Sequence, residues 1–317
     1  MQLSIVIPTR NRASQLERTL QNLLLQTIPT QDFEVVVVDN DSGDETPEFL
    51  RRFGQRFPNW QCFGQPKPGA AAARNAGIAS CQGAIVLFID DDVIAEPDLV
   101  RQHLKSHDSH PGCAVLGRVL NGWNQNDSAF HWVISQKELL HSFRFPDSSN
   151  VPFQHLYTCN ASVPRDLLLK AGLFDEQFAG AAFEDTDLGY RLMRLGCQIL
   201  FNPEATVLHE PVLSLKSFMR KRFDAGAALY RLLSKHPELE TTMLPSRLRR
   251  GLRWALGWSV SPLPLIFDKH LPFAPLLFPV LGKACWYHFE YLFWTGYHQA
   301  ARSEDRTTNT AVCKPAG

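Results

Sequence analysis

Short apolar runs alternate with helix-spaced apolar residues through the first 120 positions. Leu3–Ile7, Glu34–Val38, Ala84–Ile89 and Ala114–Val119 are runs dominated by Val, Ile and Leu. Continuous hydrophobicity of that length fits strands buried on both faces of a parallel sheet. Between the first two runs, Leu16, Leu20, Leu23 and Leu24 recur at helical spacing and predict a helix over Ala13–Gln26. Asn40-Asp41-Ser42-Gly43 reads as a turn. A helix is expected after it, with Thr46 as cap, Pro47 at its first position and Phe49, Leu50 and Phe53 facing inward. Pro66–Gly69 reads as a loop and Ala70–Ser80 as a helix of small residues able to lie close to a sheet. The alternation predicts an α/β fold, a mostly parallel sheet flanked by helices.

Past residue 120 the pattern is less regular. Helices are expected at Ser128–His141, Pro164–Gly172 and Glu184–Leu195, and strands at Leu156–Ala161, Gln198–Phe201 and Thr206–His209. From Lys216 to Arg253 ten Lys and Arg stand against three acids. The apolar runs Leu263–Phe267 and Leu271–Leu281 follow, and then aromatics from Trp286 to Tyr297. Prolines at 262, 264, 272, 275 and 279 are expected to interrupt any long apolar helix, so no membrane span is predicted. Basic residues ahead of amphipathic aromatic segments suit a membrane surface, with Trp and Tyr at headgroup depth. The expectation for 213–302 is therefore a helical appendage, with peripheral membrane contact through 247–297 or packing in a homodimer as the uses of its apolar surface. A polar tail, 303–317, is expected to be disordered.

Composition narrows the function classes. The 317 residues carry no formal net charge, which provides no global field for nucleic acid. Seven cysteines are scattered without a C-x-x-C pair, which points to neither a disulfide framework nor a zinc site and suits a reducing compartment. A strand predicted to begin at residue 3 belongs to the core rather than to a cleavable leader, so a cytoplasmic location is expected.

The candidate chemistry lies at strand ends. Asp90-Asp91-Asp92 directly follows an apolar strand, at the carboxyl edge where open α/β sheets bind ligands. Adjacent carboxylates repel unless a cation sits among them, and a hard divalent ion such as Mn²⁺ or Mg²⁺ suits oxygen ligands and bridges to phosphates. Asp39 likewise closes a strand, where an acid can accept hydrogen bonds from a base or ribose. Pro8-Thr9-Arg10-Asn11-Arg12 closes the first strand with donors suited to a nucleotide, and Arg74-Asn75 lies on the small-residue helix.

Ser4–Arg12, Val36–Ser42, Ala73–Gly77, Phe88–Asp92, Gly172–Glu176 and Glu184–Arg191 together resemble family 2 glycosyltransferases, an inverting group with the GT-A fold. The resemblance spans roughly the first two thirds of the chain. It implies a catalytic domain over 1–212, with a nucleotide-binding half to about 120 and an acceptor half beyond. It also implies a nucleoside-diphosphate-sugar donor, a saccharide or lipid-linked hydroxyl acceptor and a divalent cation, Mn²⁺ or Mg²⁺. By resemblance, Pro8, Thr9, Arg12, Asp39 and Asp41 serve the nucleotide. Asp90 and Asp91 serve the ribose or sugar, Asp92 the metal, and Arg74 the sugar-nucleotide. Asp185 is the expected general base and Glu184 its hydrogen-bonding neighbour. Asn160 is expected to line the sugar and acceptor pocket, and His209 to stand near the metal. Arg222, in the basic segment Arg220–Arg222, is expected to cover the diphosphate. The same acids have a structural use, since Glu184, Asp185 and Asp187 open a helix whose dipole favours them.

The Arg253-Trp254 pair only approximates the Q-x-x-R-W of processive relatives, with Arg250 where they carry Gln, so addition of a single sugar is expected. Two other readings remain at this stage: a sugar-nucleotide pyrophosphorylase, whose glycine-rich first loop is missing here, and a nucleotide-sugar-binding scaffold without turnover. A dinucleotide oxidoreductase would need G-x-G-x-x-G after the first strand, where Pro8–Arg12 stands.

Overall fold

The computed structural model describes residues 1–125, 127–178, 182–212, 214–260 and 274–312, with 247, 274–278 and 304–312 as backbone alone. It divides into two compact units, Met1–Gly122 with His141–Pro211, and Trp123–Leu140 with Val212–Gly317. The stretch 123–140, expected in the acceptor half of the catalytic domain, therefore belongs with the second unit.

The first unit is built on one eight-stranded sheet. In chain order its strands are β1 (Leu3–Thr9), β2 (Phe33–Asp39), β3 (Trp60–Gly64), β4 (Ile85–Ile89), β5 (Val93–Ala95), β6 (Ala114–Asn121), β7 (Asn160–Pro164) and β8 (Ile199–His209), and in space they run β3-β2-β1-β4-β7-β6-β8-β5. Neighbours β3, β2, β1 and β4 are parallel, as are β6 and β8, while β7 runs against both β4 and β6. The carboxyl ends of β1, β2, β4, β6 and β8 consequently share one edge. β7 begins at that edge, where Asn160 lies opposite Ile89.

The helices of this unit are α1 (Ala13–Leu23), α2 (Thr46–Phe53), α3 (Ala70–Ser80) and α4 (Leu99–Ser109), followed after residue 164 by α6 (Arg165–Lys170) and α7 (Glu184–Arg194). Helix α1 buries Leu16, Leu20 and Leu23, one face at helical spacing. Helix α3 approaches the sheet closely because most of its residues are Ala or Gly. A Cβ at Gly77 would stand 2.5 Å from Val6 Cγ1.

Two expectations shift. Thr46 does not cap α2 but opens it, its hydroxyl accepting from Arg12 N at 3.2 Å. The strands expected at Gln198–Phe201 and Thr206–His209 form one strand, β8, with a bulge where the register jumps from Gly117↔Asn202 to Arg118↔Thr206. β3, which the sequence pattern did not predict, is a half-buried edge strand lacking a continuous apolar run.

The second unit contains α5 (Ala129–Gln136), α8 (Leu215–Lys235), α9 (Glu240–Met243), α10 (Arg247–Ser259) and α11 (Ala274–Val312). Phe130, Phe218 and Phe289 meet edge to face at its centre. Glycines bring backbones together: a Cβ at Gly226 would stand 1.8 Å from Phe293 O, and one at Gly296 2.0 Å from Phe223 O. The aromatics expected at headgroup depth are largely core, with Phe289, Phe293, Trp294 and Tyr297 all buried.

Helix α11 passes through Pro279, where an interruption was expected. That proline is in the helix's second turn, where its missing N–H costs one bond near the end. The helix also continues through 303–312, part of the tail expected to be disordered, because no Gly or Pro stands between Tyr297 and Lys314 to stop it. Leu263–Phe267 and the start of Leu271–Leu281 lie outside the described residues, and no described helix is long and apolar enough to cross a membrane.

Candidate active site

The turn after β4 places three carboxyls at the sheet edge, and each has a different environment. Asp91 is held on both oxygens: Thr9 Oγ1 donates to Oδ2 at 2.8 Å and Arg12 Nη1 to Oδ1 at 2.8 Å. Burial raises its pKa to about 6 against the pull of Arg12, with Asp92 adding repulsion. Arg12 Nη1 also reaches Asp92 Oδ2 at 2.6 Å. The other Asp92 oxygen, Oδ1, is buried and accepts no hydrogen bond, although His209 Nε2 is 3.2 Å away.

Strand register explains why His209 is there. Short β5, beginning one residue after Asp92, pairs with the end of β8 so that Val93 faces His209, and Glu210 N donates to Asp92 O at 2.8 Å. Asp90, Asp92 and His209 each offer one ligand atom, and the three atoms lie within 4.8 Å of one another. Two carboxylates and an imidazole around an orphaned buried oxygen fit a divalent cation. Burial acts to raise the Asp92 pKa, but the close approach and charge of His209, with Arg12, hold it below the usual carboxylate range.

Helix α7 supplies the second acid group. Its first residue, Glu184, follows Phe183, which takes a left-handed conformation at φ +65°. Glu184 is buried, and its Oε1 accepts from Arg74 Nη1 at 3.0 Å while Oε2 has no partner. The other terminal nitrogen of Arg74, Nη2, lies 3.1 Å from Asp90 Oδ1. Asp185 accepts from Thr186 N at 2.7 Å. Burial, then repulsion from Glu184, raises its pKa to about 7 despite Arg74. A carboxyl balanced near neutrality is suited to taking a proton from a hydroxyl. Asp187 is bound by Arg191 through Nε at 2.9 Å and Nη2 at 2.7 Å, a use within the helix itself.

The remaining expected residues separate. Pro8 lies inside β1 opposite Val38, and Asp39 ends β2 opposite Thr9, with Oδ1 accepting from Ser42 N at 3.2 Å. Asp41 is exposed, with a left-handed φ of +63°.

Asn160 is not a pocket residue. It is fully buried, and its Nδ2 donates to Arg118 O at 3.0 Å and Ala205 O at 2.9 Å. Its Oδ1 is 2.9 Å from His103 Nε2, which fixes a chain of neutral groups. An amide oxygen only accepts, so His103 Nε2 carries the proton and Nδ1 accepts from Ser162 Oγ at 2.7 Å. Ser162 Oγ in turn accepts from His107 Nε2, also at 2.7 Å. Arg222 lies in the second unit, 3.6 Å from Glu290 and over the Phe293 ring.

Three participants were not singled out from the sequence. Asn40 ties the edge loops, donating to Gln65 O at 2.9 Å and Lys67 O at 2.8 Å and accepting from Gly69 N at 2.8 Å. His103 had a visible signal, a second histidine four residues on along one helix face. His141 had none, yet its half-buried ring stands edge-on to His209 at 5.3 Å, with Nε2 3.2 Å from Cys159 Sγ.

Comparison with known proteins points the same way. The model of the family described as Glycosyl transferase family 2 matches residues 4–170, more than half of the chain. The validoxylamine A glucosyltransferase of Streptomyces hygroscopicus subsp. jinggangensis is 31% identical over 280 residues, covering 79% of this chain and 64% of that one. The uncharacterized glycosyltransferase YfnE of Bacillus subtilis is 26% identical over 255 residues, covering 66% of this chain and 65% of that one. The chain thus spans less than two thirds of the length of these relatives. Among solved structures, the mannosyltransferase PcManGT from Pyrobaculum calidifontis, in complex with GDP-Man and Mn²⁺, superposes with a TM-score of 0.64 at 19% identity, covering 95% of this chain and 87% of that one. S. aureus TarS 1-349, in complex with UDP-GlcNAc, gives a TM-score of 0.54 at 18% identity, covering 94% and 92%. At these identities the likeness establishes the GT-A fold.

Proposed function

The chain belongs to glycosyl transferase family 2, and on that footing we propose that it transfers one sugar, with inversion, from a nucleoside-diphosphate-sugar to a hydroxyl acceptor. The acceptor is a saccharide or lipid-linked glycan of cell-surface polysaccharide or glycolipid assembly. The observation that carries this reading is the buried Asp92 Oδ1, without a hydrogen-bond partner among three converging ligand atoms at the carboxyl edge of the sheet. Asp90, Asp92 and His209 would hold a divalent cation, which when bound neutralises charge on the diphosphate leaving group. An imidazole in the set favours Mn²⁺ over Mg²⁺. PcManGT, solved with GDP-Man and Mn²⁺, supports the class of ligand.

Thr9 and Arg12 hold Asp91 and Asp92 in place, and the strand end at Asp39 offers an acceptor to the nucleoside. Asp185 takes the proton of the attacking hydroxyl, so the acceptor oxygen bonds to the anomeric carbon as the bond to the diphosphate breaks. A single displacement of that kind leaves the product inverted. Arg253 and Trp254, the partial match to the processive motif, bond to Glu290 and Thr295 at 3.1 and 3.3 Å in α10–α11 packing, in keeping with one addition per encounter.

The first experiment screens UDP-, GDP- and dTDP-sugars with Mn²⁺ by thermal shift, and then reads the anomeric configuration of the product by NMR. The expected results are donor stabilisation lost on adding chelator, and an inverted product. Stabilisation that survives chelation, or a retained configuration, refutes the reading.

The location proposed is the cytoplasmic face of a membrane. Helix α10 exposes Leu248, Leu252, Leu256 and Trp258 at 74, 54, 46 and 64%, and no acid occurs between Thr241 and Phe267. An apolar outer face with only basic charge beside it suits an anionic bilayer surface. Co-sedimentation with phosphatidylglycerol vesicles but not phosphatidylcholine vesicles is expected, with binding falling at least fivefold in Leu252→Glu/Trp258→Glu. Absence of vesicle binding, or a stable dimer that the double variant dissolves, counts against it.

A further inference from the structure

Arg74 is expected to serve the sugar-nucleotide, but its side chain is engaged by two acids of its own chain. The residue is 4% exposed, and its guanidinium is in contact with two carboxyls, through Nη2 to Asp90 just after β4 and Nη1 to Glu184 at the start of α7. Asp90 is a member of the candidate cation triad. Glu184 is the neighbour of the proposed base. The geometry points to Arg74 as a positioning strut that sets the distance between the donor-side acid Asp90 and the acceptor-side pair Glu184–Asp185, making no contact of its own with the sugar-nucleotide. This rests on the reading of Asp185 as base.

Three features make the strut rigid. Helix α3 is seated by Ala71, Ala72 and Ala73, all buried, and by Gly77 against Val6. The next residue, Asn75, clamps the backbone of Phe174 in both directions. It donates through Nδ2 to Phe174 O and accepts through Oδ1 from Phe174 N, each at 2.9 Å. The Phe174 ring lies 5.7 Å from the Arg74 guanidinium carbon. With root and head both fixed, the planar fork can meet two acids only at a set separation, which a flexible ammonium cannot do. Each acid has one oxygen on Arg74 and keeps a second. On Glu184 that oxygen is buried and unpartnered. Its free lone pairs would suit a substrate hydroxyl.

A donor contact and a strut predict different kinetics. A donor contact, when weakened, raises the donor KM. A strut, when shortened, leaves donor binding alone and lowers kcat. Nucleoside diphosphate release from UDP-glucose, UDP-N-acetylglucosamine and GDP-mannose, with Mn²⁺ and with water as the acceptor of last resort, supplies the assay. For Arg74→Lys, kcat is expected to fall 10- to 100-fold with donor KM within threefold of the parent, and Arg74→Met is expected to fall further. Arg74→Lys/Glu184→Gln should be no slower than the worse single variant, because one connection is broken in either case. A donor KM raised tenfold at unchanged kcat overturns the proposal, as does a lowered thermal midpoint with normal kcat in the folded fraction.

Where the variants do not fold, a crystal of the parent protein with Mn²⁺ and UDP or GDP decides. The guanidinium is expected to remain between Asp90 and Glu184, and finding it on the diphosphate overturns the strut. Asp185→Asn assayed in the same series separates the two readings, since retained turnover there refutes the base while leaving the Arg74 result to stand alone.

Discussion

Two buried polar regions sit side by side in the first unit, and they are built on opposite principles. Around Asn160, His103, Ser162 and His107 the groups are neutral, and each bond has a defined donor and acceptor. Across a single strand pairing, at Asp90–Asp92 and Glu184–Asp185, five carboxyls face two guanidiniums, and Asp92 Oδ1 and Glu184 Oε2 accept no hydrogen bond. A satisfied network stabilises a fold. An excess of one charge with lone pairs left over costs stability, and its retention indicates a ligand that completes it.

The sharpest way to break this contrast is to neutralise one residue in each region. Asp185→Asn should lower turnover by about 10³-fold or more, the loss expected of a general base acting within an assembled site. Its thermal midpoint at pH 8 should be unchanged or higher, because the fold raises that carboxyl's pKa and so disfavours its charge. Asn160→Ala should do the reverse. It strands two carbonyls and one imidazole N–H and should cost about 3 kcal/mol in denaturant unfolding. Turnover of the fraction that stays folded should change far less than in Asp185→Asn.

Acid sharpens the contrast through stability. Burial lowers both His103 and His107 to about 4. The unfolded chain therefore takes up protons at each site first, from about pH 6.5 downward, and stability present above that pH is lost as it falls toward 4. The loss is on the order of 3 kcal/mol per fully buried imidazole, read from unfolding midpoints between pH 7 and 4.5.

The smallest effect is on the pH–rate profile. Asp185 must be ionised to accept a proton, so kcat/KM should rise with pH through about 7 and then level off. Glu184→Gln removes the repulsion that helps raise that value and should move the rising limb to lower pH. A limb that stays in place would disconnect the two acids.

Legibility in the sequence followed burial symmetry. Strands β1, β2, β4 and β6 are continuous apolar runs because both faces are covered, and their ends, with Thr9, Asp39 and Asp90, were visible for that reason. β3 is half-buried and β5 only three residues long, so neither left a pattern, although β5 is what brings His209 to Asp92. Asn160 was misassigned because a polar residue beside a strand end looks alike whether it points into a cleft or into the core. Only its three partners, distributed over α4, β6 and β8, distinguish the two. The aromatics of α11 misled similarly, since Trp and Tyr spaced along a helix serve a helical core as readily as an interface.

The irregularity in β8 has a consequence for how this chain can change over evolution. Pro203, Glu204 and Ala205 fall between two stretches of ladder that are each in register with β6, so the extra length is absorbed sideways and His209 ends level with Asn121. Insertions or deletions at exposed Glu204 can therefore accumulate without displacing the imidazole downstream, so long as buried Ala205 keeps its carbonyl on Asn160. Homologous chains should differ in length at that point while the spacing from Thr206 to His209 stays constant.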